Sequence, residues 1–131
     1  MTPDLLLDSH VLLGVLYGNS KYGKNTRRLL ASHRQLHFSP LSIAELRLKT
    51  SIKGAPYISP FLDTELTDLG LEELPLTSIA ANDITRFPGL HHHDPFDRLL
   101  LAQAATHNLL FITADRTLTS LDLEFVHDAY I

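Results

Sequence analysis

Residues 94–113 read DPFDRLLLAQAATHNLLFIT, and this stretch decides the fold of the 131-residue chain. Asp94 has the right side chain to cap the start of a helix, and Pro95 suits the first helical position. We expect this helix to run to about residue 107, where Asn108 ends it. Residues 109–113 form an apolar run typical of a parallel strand that is covered on both faces. A helix that leads directly into a buried strand indicates an α/β fold.

The rest of the chain repeats this alternation of short apolar strands and helices. The pattern predicts further strands at residues 5–7, 36–38, 70–76 and 123–126. It predicts helices at residues 11–17, 25–33, 39–53 and 77–86, and another that begins at residues 59–60. We therefore predict a three-layer α/β/α domain with a central, mainly parallel sheet of four to five strands. The length fits a single domain over residues 1–131.

The overall composition excludes several classes of protein. With 44% hydrophobic and 20% charged residues, the chain has the composition of an ordinary globular protein. It contains no cysteine, which excludes disulfides and thiolate metal ligands. No apolar run approaches the ~18 residues that a membrane span needs, and the N-terminus lacks the basic segment of a secretory signal. We therefore expect a cytoplasmic protein that does not insert into a membrane.

Charge is distributed unevenly along the chain. The net charge is −4, which by itself argues against binding to the phosphates of nucleic acid. However, residues 9–44 contain five Lys or Arg side chains and no acid, whereas residues 54–85 contain six acids and no Lys or Arg. The basic segment is compatible either with a solvated helix face or with a surface that contacts RNA.

Four acids stand where a parallel sheet would bring side chains together. Asp8 follows the first predicted strand, and Asp115 follows the strand at residues 109–113. Asp97 lies in the first turn of the helix before that strand, and Glu45 lies early in the helix after the second strand. Open parallel sheets bind ligands at the carboxyl ends of their strands, where Asp8 and Asp115 are expected. Each acid alone also has an ordinary explanation, such as a turn, a helix cap or a solvated helix face.

A cluster of these carboxylates requires a cation. Several carboxylates at one sheet edge repel each other and raise each other's pKa values unless a cation neutralises them. Mg²⁺ or Mn²⁺ is the expected cation, because these ions bind carboxylate and water oxygens. They can activate water and stabilise the charge that develops on a phosphodiester, so hydrolysis of nucleic acid fits the cluster. Asp94 is interpreted mainly as a helix cap and is a second-tier site candidate.

Other chemistries have less support in the sequence. The chain has neither a Walker A sequence nor a G-x-G-x-x-G motif. Aspartyl-phosphate enzymes characteristically carry a second Asp two residues after the first, and here that residue is His10. Without cysteine, and with Ser9 directly beside His10, covalent acyl transfer has no visible basis. The histidines at residues 91–93 suggest zinc, but consecutive loop side chains point in different directions; one of them could instead touch substrate phosphate or adjust a nearby carboxylate.

The segments that carry the four acids resemble those of a known family. They are LLLDSHVLLGVL at residues 5–16, SPLSIAELRLK at 39–49, HHHDPFDRLLLAQA at 91–104 and LLFITADRTL at 109–118. They are similar to the motifs of the PIN domains, and among these to the VapC-type toxin nucleases of bacterial toxin–antitoxin pairs. The resemblance spans nearly the whole chain and implies a PIN-like fold. Two positions depart from it: His93 stands where relatives usually carry Arg or Lys, and the first helix lacks a common tryptophan.

The resemblance also implies roles for individual residues. Asp8, Glu45 and Asp97 correspond to the core catalytic and metal-binding acids, and Asp115 corresponds to the fourth. Thr113 matches a position where the family often has a hydroxyl group near the acids. Relatives of this type cut RNA endonucleolytically with Mg²⁺ or Mn²⁺, commonly form homodimers, and are blocked by an antitoxin whose tail enters the active-site groove.

The leading hypothesis is thus a toxin endoribonuclease whose acids hold the metal while water attacks the phosphodiester. The basic side chains expected to guide RNA are Lys21, Lys24, Arg27, Arg28, Arg98 and Arg116. Two alternatives stay open: a PIN nuclease that acts in RNA processing rather than as a toxin, and a PIN-like binding module without catalysis.

Overall fold

The computed structural model describes residues 3–19, 21–55, 57–90 and 93–131. Its centre is a five-stranded sheet in the order β3-β2-β1-β4-β5. The strands are β1 (Leu5–Leu7), β2 (Leu36–Phe38), β3 (Glu72–Glu73), β4 (Leu110–Thr113) and β5 (Val126–Asp128). All four pairs of neighbouring strands are parallel. The prediction of a mainly parallel sheet of four to five strands is therefore confirmed.

Helices connect the strands and cover both faces of the sheet. They are α1 (Ser9–Tyr17), α2 (Lys24–Ala31), α3 (Pro40–Thr50), α4 (Leu62–Asp68), α5 (Ser78–Asn82), α6 (Pro95–Thr106) and α7 (Arg116–Thr119), with 3-10 turns at Asp83–Thr85 and Pro88–Leu90. In the described part of the chain, no helix is long and apolar enough to cross a membrane.

The central strands are buried on both faces, as their continuous apolar sequences predict. Leu5 and Leu7 of β1 pack into one hydrophobic cluster with residues of α1 and α4. Leu6, between them, packs into a second cluster with residues of α6 and α7. Neighbouring residues of β4 divide in the same way, because Phe111 joins the second cluster and Ile112 joins the first. This alternation gives the three layers of an α/β/α fold.

The structure corrects the expected boundaries of several peripheral elements. The strand predicted at residues 70–76 is only Glu72–Glu73, and the last strand is Val126–Asp128 rather than 123–126. Both are edge strands that pair on one side only, so their sequences are less constrained to be apolar. The helix predicted at 77–86 changes to a 3-10 turn after Asn82, and α3 ends at Thr50 rather than at residue 53. Between β4 and β5, α7 forms where only a turn or a helix start was foreseen.

The beginning of α2 is tied to the carboxyl end of β5. The backbone N–H of Gly23 donates to the carbonyl of Ala129 at 3.0 Å, and that of Asn25 donates to the carbonyl of Ile131 at 2.9 Å. The Thr26 hydroxyl lies 2.9 Å from His127 Nε2 of β5. The parallel strands end at the same edge of the sheet, so the basic helix α2 begins at the edge where β1 and β4 also end.

Candidate active site

Asp8 lies where β1 ends, beside the end of β4. Its backbone N–H donates to the carbonyl of Ile112 at 3.0 Å, and its carboxylate caps α1 by accepting from Ser9 N at 2.7 Å. The other carboxylate oxygen accepts from the Thr113 hydroxyl at 2.6 Å. Asp8 is 5% exposed and Thr113 is fully buried. One donor from the start of α1 and one from the end of β4 thus fix the orientation of this carboxylate.

Glu45 reaches the same edge from the middle of α3. Glu45 is 6% exposed, and one of its carboxylate oxygens accepts a hydrogen bond from the buried Ser9 hydroxyl. The other oxygen lies 3.8 Å from the ammonium group of Lys49, one helical turn later. Because the Lys49 side chain is 51% exposed, this ion pair is screened by solvent and compensates only part of the Glu45 charge.

Asp97 completes a three-carboxylate cluster from the first turn of α6. The helix starts as its sequence predicts, with Asp94 as N-cap accepting from Phe96 N at 2.8 Å and with Pro95 next. This start directs Asp97 inward, where it is 9% exposed. One carboxylate oxygen from each of Asp97, Asp8 and Glu45 lies within 4.8 Å of the other two. The structure thus brings together three of the predicted acids and places Asp94 as a cap.

Burial and mutual repulsion make the ionised cluster unfavourable. Desolvation is the largest cause that raises the pKa of Asp97 to about 7, and the charges of Asp8, Glu45 and Asp115 raise it further, while His93 opposes them. Burial likewise raises the pKa of Asp8, although the hydrogen bonds from Thr113 and Ser9 work in the opposite direction. A divalent cation between these oxygens would supply the missing positive charge.

Asp115 adjoins this cluster without belonging to the same group of oxygens. Its carboxylate caps α7 by accepting from Leu118 N at 3.1 Å, and its backbone N–H donates to the Thr113 hydroxyl at 3.1 Å. Its second oxygen lies 3.8 Å from Nε2 of His93, which in turn lies 3.0 Å from Asp97 Oδ2. His93, Asp97 and Asp115 therefore form a second group whose potential ligand atoms lie within 4.8 Å of one another.

His93 is the site residue that sequence reasoning did not assign. The hypothesis for the three histidines left open that one of them adjusts a carboxylate, and the contact between His93 and Asp97 is of this kind. His91 and His92 lie outside the described residues. His93 and Asp97 are four residues apart, a spacing that brings side chains together on a helix. However, His93 precedes α6, so this spacing alone did not predict their contact.

The basic residues proposed to guide RNA lie in different environments. Arg98 Nη2 donates to the backbone carbonyl of Ile84 at 3.1 Å, so part of its guanidinium group is engaged within the protein. Arg116 is exposed at the start of α7, directly after Asp115, and Lys24 is exposed at the start of α2. Lys21 precedes α2, whereas Arg27 and Arg28 lie within it. Contact of any of them with RNA stays a prediction.

Thr113→Val is expected to destabilise the protein by about 1–3 kcal/mol, because a buried carboxylate loses a donor and the Asp115 N–H loses its acceptor. The matched control is Thr113→Ser, which keeps the hydroxyl and removes one methyl group at a cost of about 1 kcal/mol. Urea unfolding of the two variants measures the difference. A Val variant as stable as the wild type would contradict a structural role for the hydroxyl.

Comparison with known proteins matches both the chain and its fold. The model of the family described as PIN domain matches residues 5–123. A toxin–antitoxin complex from Klebsiella pneumoniae contains a similar chain, with 17% identity, a TM-score of 0.68, and coverage of 97% of this chain and 98% of that chain. VapBC2 from Rickettsia felis, bound to a DNA fragment from its promoter, gives 15% identity, a TM-score of 0.66, and coverage of 95% and 97%. VapBC-5 from Mycobacterium tuberculosis gives 21% identity, a TM-score of 0.59, and coverage of 98% and 100%. Curated protein sequences give no significant match.

Proposed function

Because this chain belongs to the PIN domain family, we propose that it is a divalent-metal-dependent endoribonuclease and the toxin of a VapBC-type toxin–antitoxin pair. In this proposal residues 1–131 form one catalytic domain, and RNA phosphodiester bonds are the substrate. The observation that carries the proposal is the cluster of Asp8, Glu45 and Asp97 at the carboxyl edge of the sheet.

The donor set of this cluster fits Mg²⁺ or Mn²⁺. The three side chains offer carboxylate oxygens only, and these are the ligands that hard divalent cations prefer. The raised pKa of Asp97 adds support, because it reflects burial of the carboxyl group first and then the negative charges of the neighbouring acids. When bound, such a cation would make an attacking water more acidic and stabilise negative charge on the phosphodiester.

The protein's own side chains hold this arrangement in place. The oxygens come from Asp8, Glu45 and Asp97. Asp115 lies beside this cluster, and His93 is located between Asp115 and Asp97. The hydroxyl groups of Ser9 and Thr113 orient Glu45 and Asp8 respectively, so neither carboxylate has to reorganise before the reaction. The residues of β1 that precede Asp8 and the last three residues of β4 are fully buried, which suits a site that must hold its geometry.

Cleavage of RNA by the purified protein tests this proposal. We expect cleavage with Mg²⁺ or Mn²⁺ and its loss in EDTA. Asp8→Asn and Asp97→Asn, purified in the same way, control for contaminating ribonucleases and should be inactive. Asp68→Asn, an exposed acid at the end of α4, is the matched control and should cleave like the wild type. Undiminished cleavage by the Asp8 and Asp97 variants would refute the mechanism.

An exposed apolar surface beside the acids supports the antitoxin part of the proposal. Tyr17, Ile52 and Tyr57 are 58%, 66% and 83% exposed, respectively. The two tyrosines help to line a cavity of about 210 Å³, whose lining residues are His10, Tyr17, Lys49 and Tyr57, together with Leu13, Leu46, Thr50 and Ile58. Lys49 also contacts Glu45, so this surface adjoins the proposed active site. An apolar antitoxin segment could cover the surface and block the acids together.

The gene next to this one distinguishes a toxin from an RNA-processing nuclease. A neighbouring short reading frame with a DNA-binding head and an apolar tail should encode a protein that copurifies with this chain and inhibits cleavage. Cleavage without any inhibitory neighbour would favour RNA processing.

Metal binding distinguishes a nuclease from a binding module. Failure of the protein to bind divalent cations at millimolar concentration would favour a binding module. A homodimer stays a prediction of the resemblance, and a cytoplasmic location stays a prediction from the amino-acid sequence.

A further inference from the structure

A histidine lies against the proposed active site from the segment that precedes α6. Nε2 of His93 is 3.0 Å from Asp97 Oδ2 and 3.8 Å from Asp115 Oδ2. The side chain is 22% exposed. The backbone N–H of His93 donates to the carbonyl of Leu90 at 2.9 Å, and Leu90 is anchored in the core at 1% exposure. With the Asp94 cap on the other side, the imidazole is held in place rather than carried on a free loop.

Two groups of potential ligands share Asp97. The first is the all-oxygen cluster of Asp8, Glu45 and Asp97, and the second combines His93 with Asp97 and Asp115. In each group the potential ligand atoms lie within 4.8 Å of one another. Asp97 could therefore contribute to two cation positions, one with oxygen ligands only and one that includes a nitrogen ligand.

We propose that His93 is a metal ligand and that, with Asp97 and Asp115, it forms a second cation position that prefers first-row transition ions to Mg²⁺. This inference rests on the proposed function, because Asp97 belongs to both positions. The two carboxylates balance the charge of a divalent ion, and the neutral imidazole adds a nitrogen ligand. Imidazole binds ions such as Co²⁺, Ni²⁺ and Zn²⁺ well, whereas Mg²⁺ binds oxygen and gives up its water reluctantly.

An ion pair between a protonated His93 and Asp97 is the competing explanation of the same contact, and it predicts the opposite behaviour. Loss of a cationic ring would remove repulsion and strengthen the binding of every divalent cation, Mg²⁺ included. Loss of a ligand would instead weaken the binding of transition ions selectively. Substitution of His93 therefore separates the two explanations by the sign of the change.

Calorimetric titration of Co²⁺, Ni²⁺ and Mg²⁺ into the full chain tests the proposal. We expect His93→Ala to bind Co²⁺ and Ni²⁺ about tenfold more weakly or worse, because loss even of a group behind a ligand costs about 10–100-fold in affinity. Binding of Mg²⁺ should change by less than about threefold, since oxygen ligands suffice for it. His107→Ala, an exposed histidine at the far end of α6, is the matched control and should match the wild type.

Electron spin-echo spectroscopy of the Mn²⁺-loaded protein gives a readout that does not depend on activity. We expect nitrogen modulation from a coordinated imidazole in the wild type and in His107→Ala, and its absence in His93→Ala. His93→Gln serves as a second variant if the Ala variant misfolds.

Three results would overturn the proposal: unchanged or tighter Co²⁺ binding by the His93 variants, nitrogen modulation that survives in them, or no Co²⁺ binding by the wild type. RNA cleavage in Mg²⁺, measured on the same samples, decides separately whether the proposed function stands.

Discussion

Asp97→Asn is expected to abolish RNA cleavage and, at the same time, to stabilise the cation-free protein. Cleavage should fall by more than about 100-fold, because this carboxylate belongs to both ligand groups. Loss of a residue that only supports a metal ligand already lowers affinity or activity by about 10–100-fold. Stability should rise because the fold carries an unfavourable charge here: the pKa of Asp97 is raised to about 7, mainly by burial and then by Asp8, Glu45 and Asp115. Above that pH, removal of the charge should gain on the order of 2 kcal/mol.

Urea unfolding in EDTA at about pH 8, above the folded-state pKa, measures the stability change, and RNA cleavage with Mg²⁺ or Mn²⁺ measures the activity. Asp68→Asn removes one negative charge from the exposed end of α4 and controls for the change in net charge. If Asp97→Asn is less stable than the wild type in EDTA, its contact with His93 stabilises the fold more than the clustered charges oppose it. That result would contradict the electrostatic argument for a cation site.

The elements nearest the proposed site follow closely from local sequence. The runs at residues 5–7 and 36–38 form strands at those bounds, and the 109–113 run forms a strand one residue shorter. Burial on both faces forces the residues of β1 and β4 to be apolar, whereas β2 is only partly buried and contains His37. The cap and proline at the start of α6 act through contacts within one turn, so local sequence is sufficient to place Asp97 in the first turn of this helix.

Other features depend on contacts that a single sequence does not contain. Glu45 is buried because α3 turns it toward Ser9 of α1, and nothing in the local pattern separates this from a solvated helix face. Its assignment therefore relied on the resemblance. The contact of His93 with Asp115 likewise spans two segments that meet only after the sheet has formed. The edge strands β3 and β5 form with bounds other than the predicted ones, because they pair on one side only and carry a weak apolar signal.

Divalent cations are expected to stabilise the wild-type protein strongly at about pH 8 and only weakly at about pH 5. The pKa of Asp97 is 3.8 in its ordinary state and about 7 in the folded protein, so between these values the folded state binds more protons than the unfolded state. The free energy of unfolding contributed by this group therefore falls as pH rises through that window. Near pH 5 a cation must displace the proton of Asp97, whereas near pH 8 it meets an ionised carboxylate.

The measurement compares the free energy of unfolding of the wild type with that of Asp97→Asn across this pH range. It is made in EDTA and again in millimolar Mg²⁺ or Mn²⁺, and the difference between the two proteins gives the contribution of Asp97. The comparison is needed because burial lowers the pKa of His127, which makes that residue favour the folded state as pH rises and so opposes the Asp97 effect. His127 is present in both proteins, so its contribution cancels in the difference. The charged groups that face Asp97 lose their interaction with it in the variant, and the difference therefore includes this loss; these groups are Asp8, Glu45, Asp115 and His93. In EDTA the wild type should lose stability relative to the variant as pH rises, and the cation should reverse that loss. Equal stabilisation by the cation at both ends of the range would mean that it binds away from the buried acids, and the site would have to be sought elsewhere.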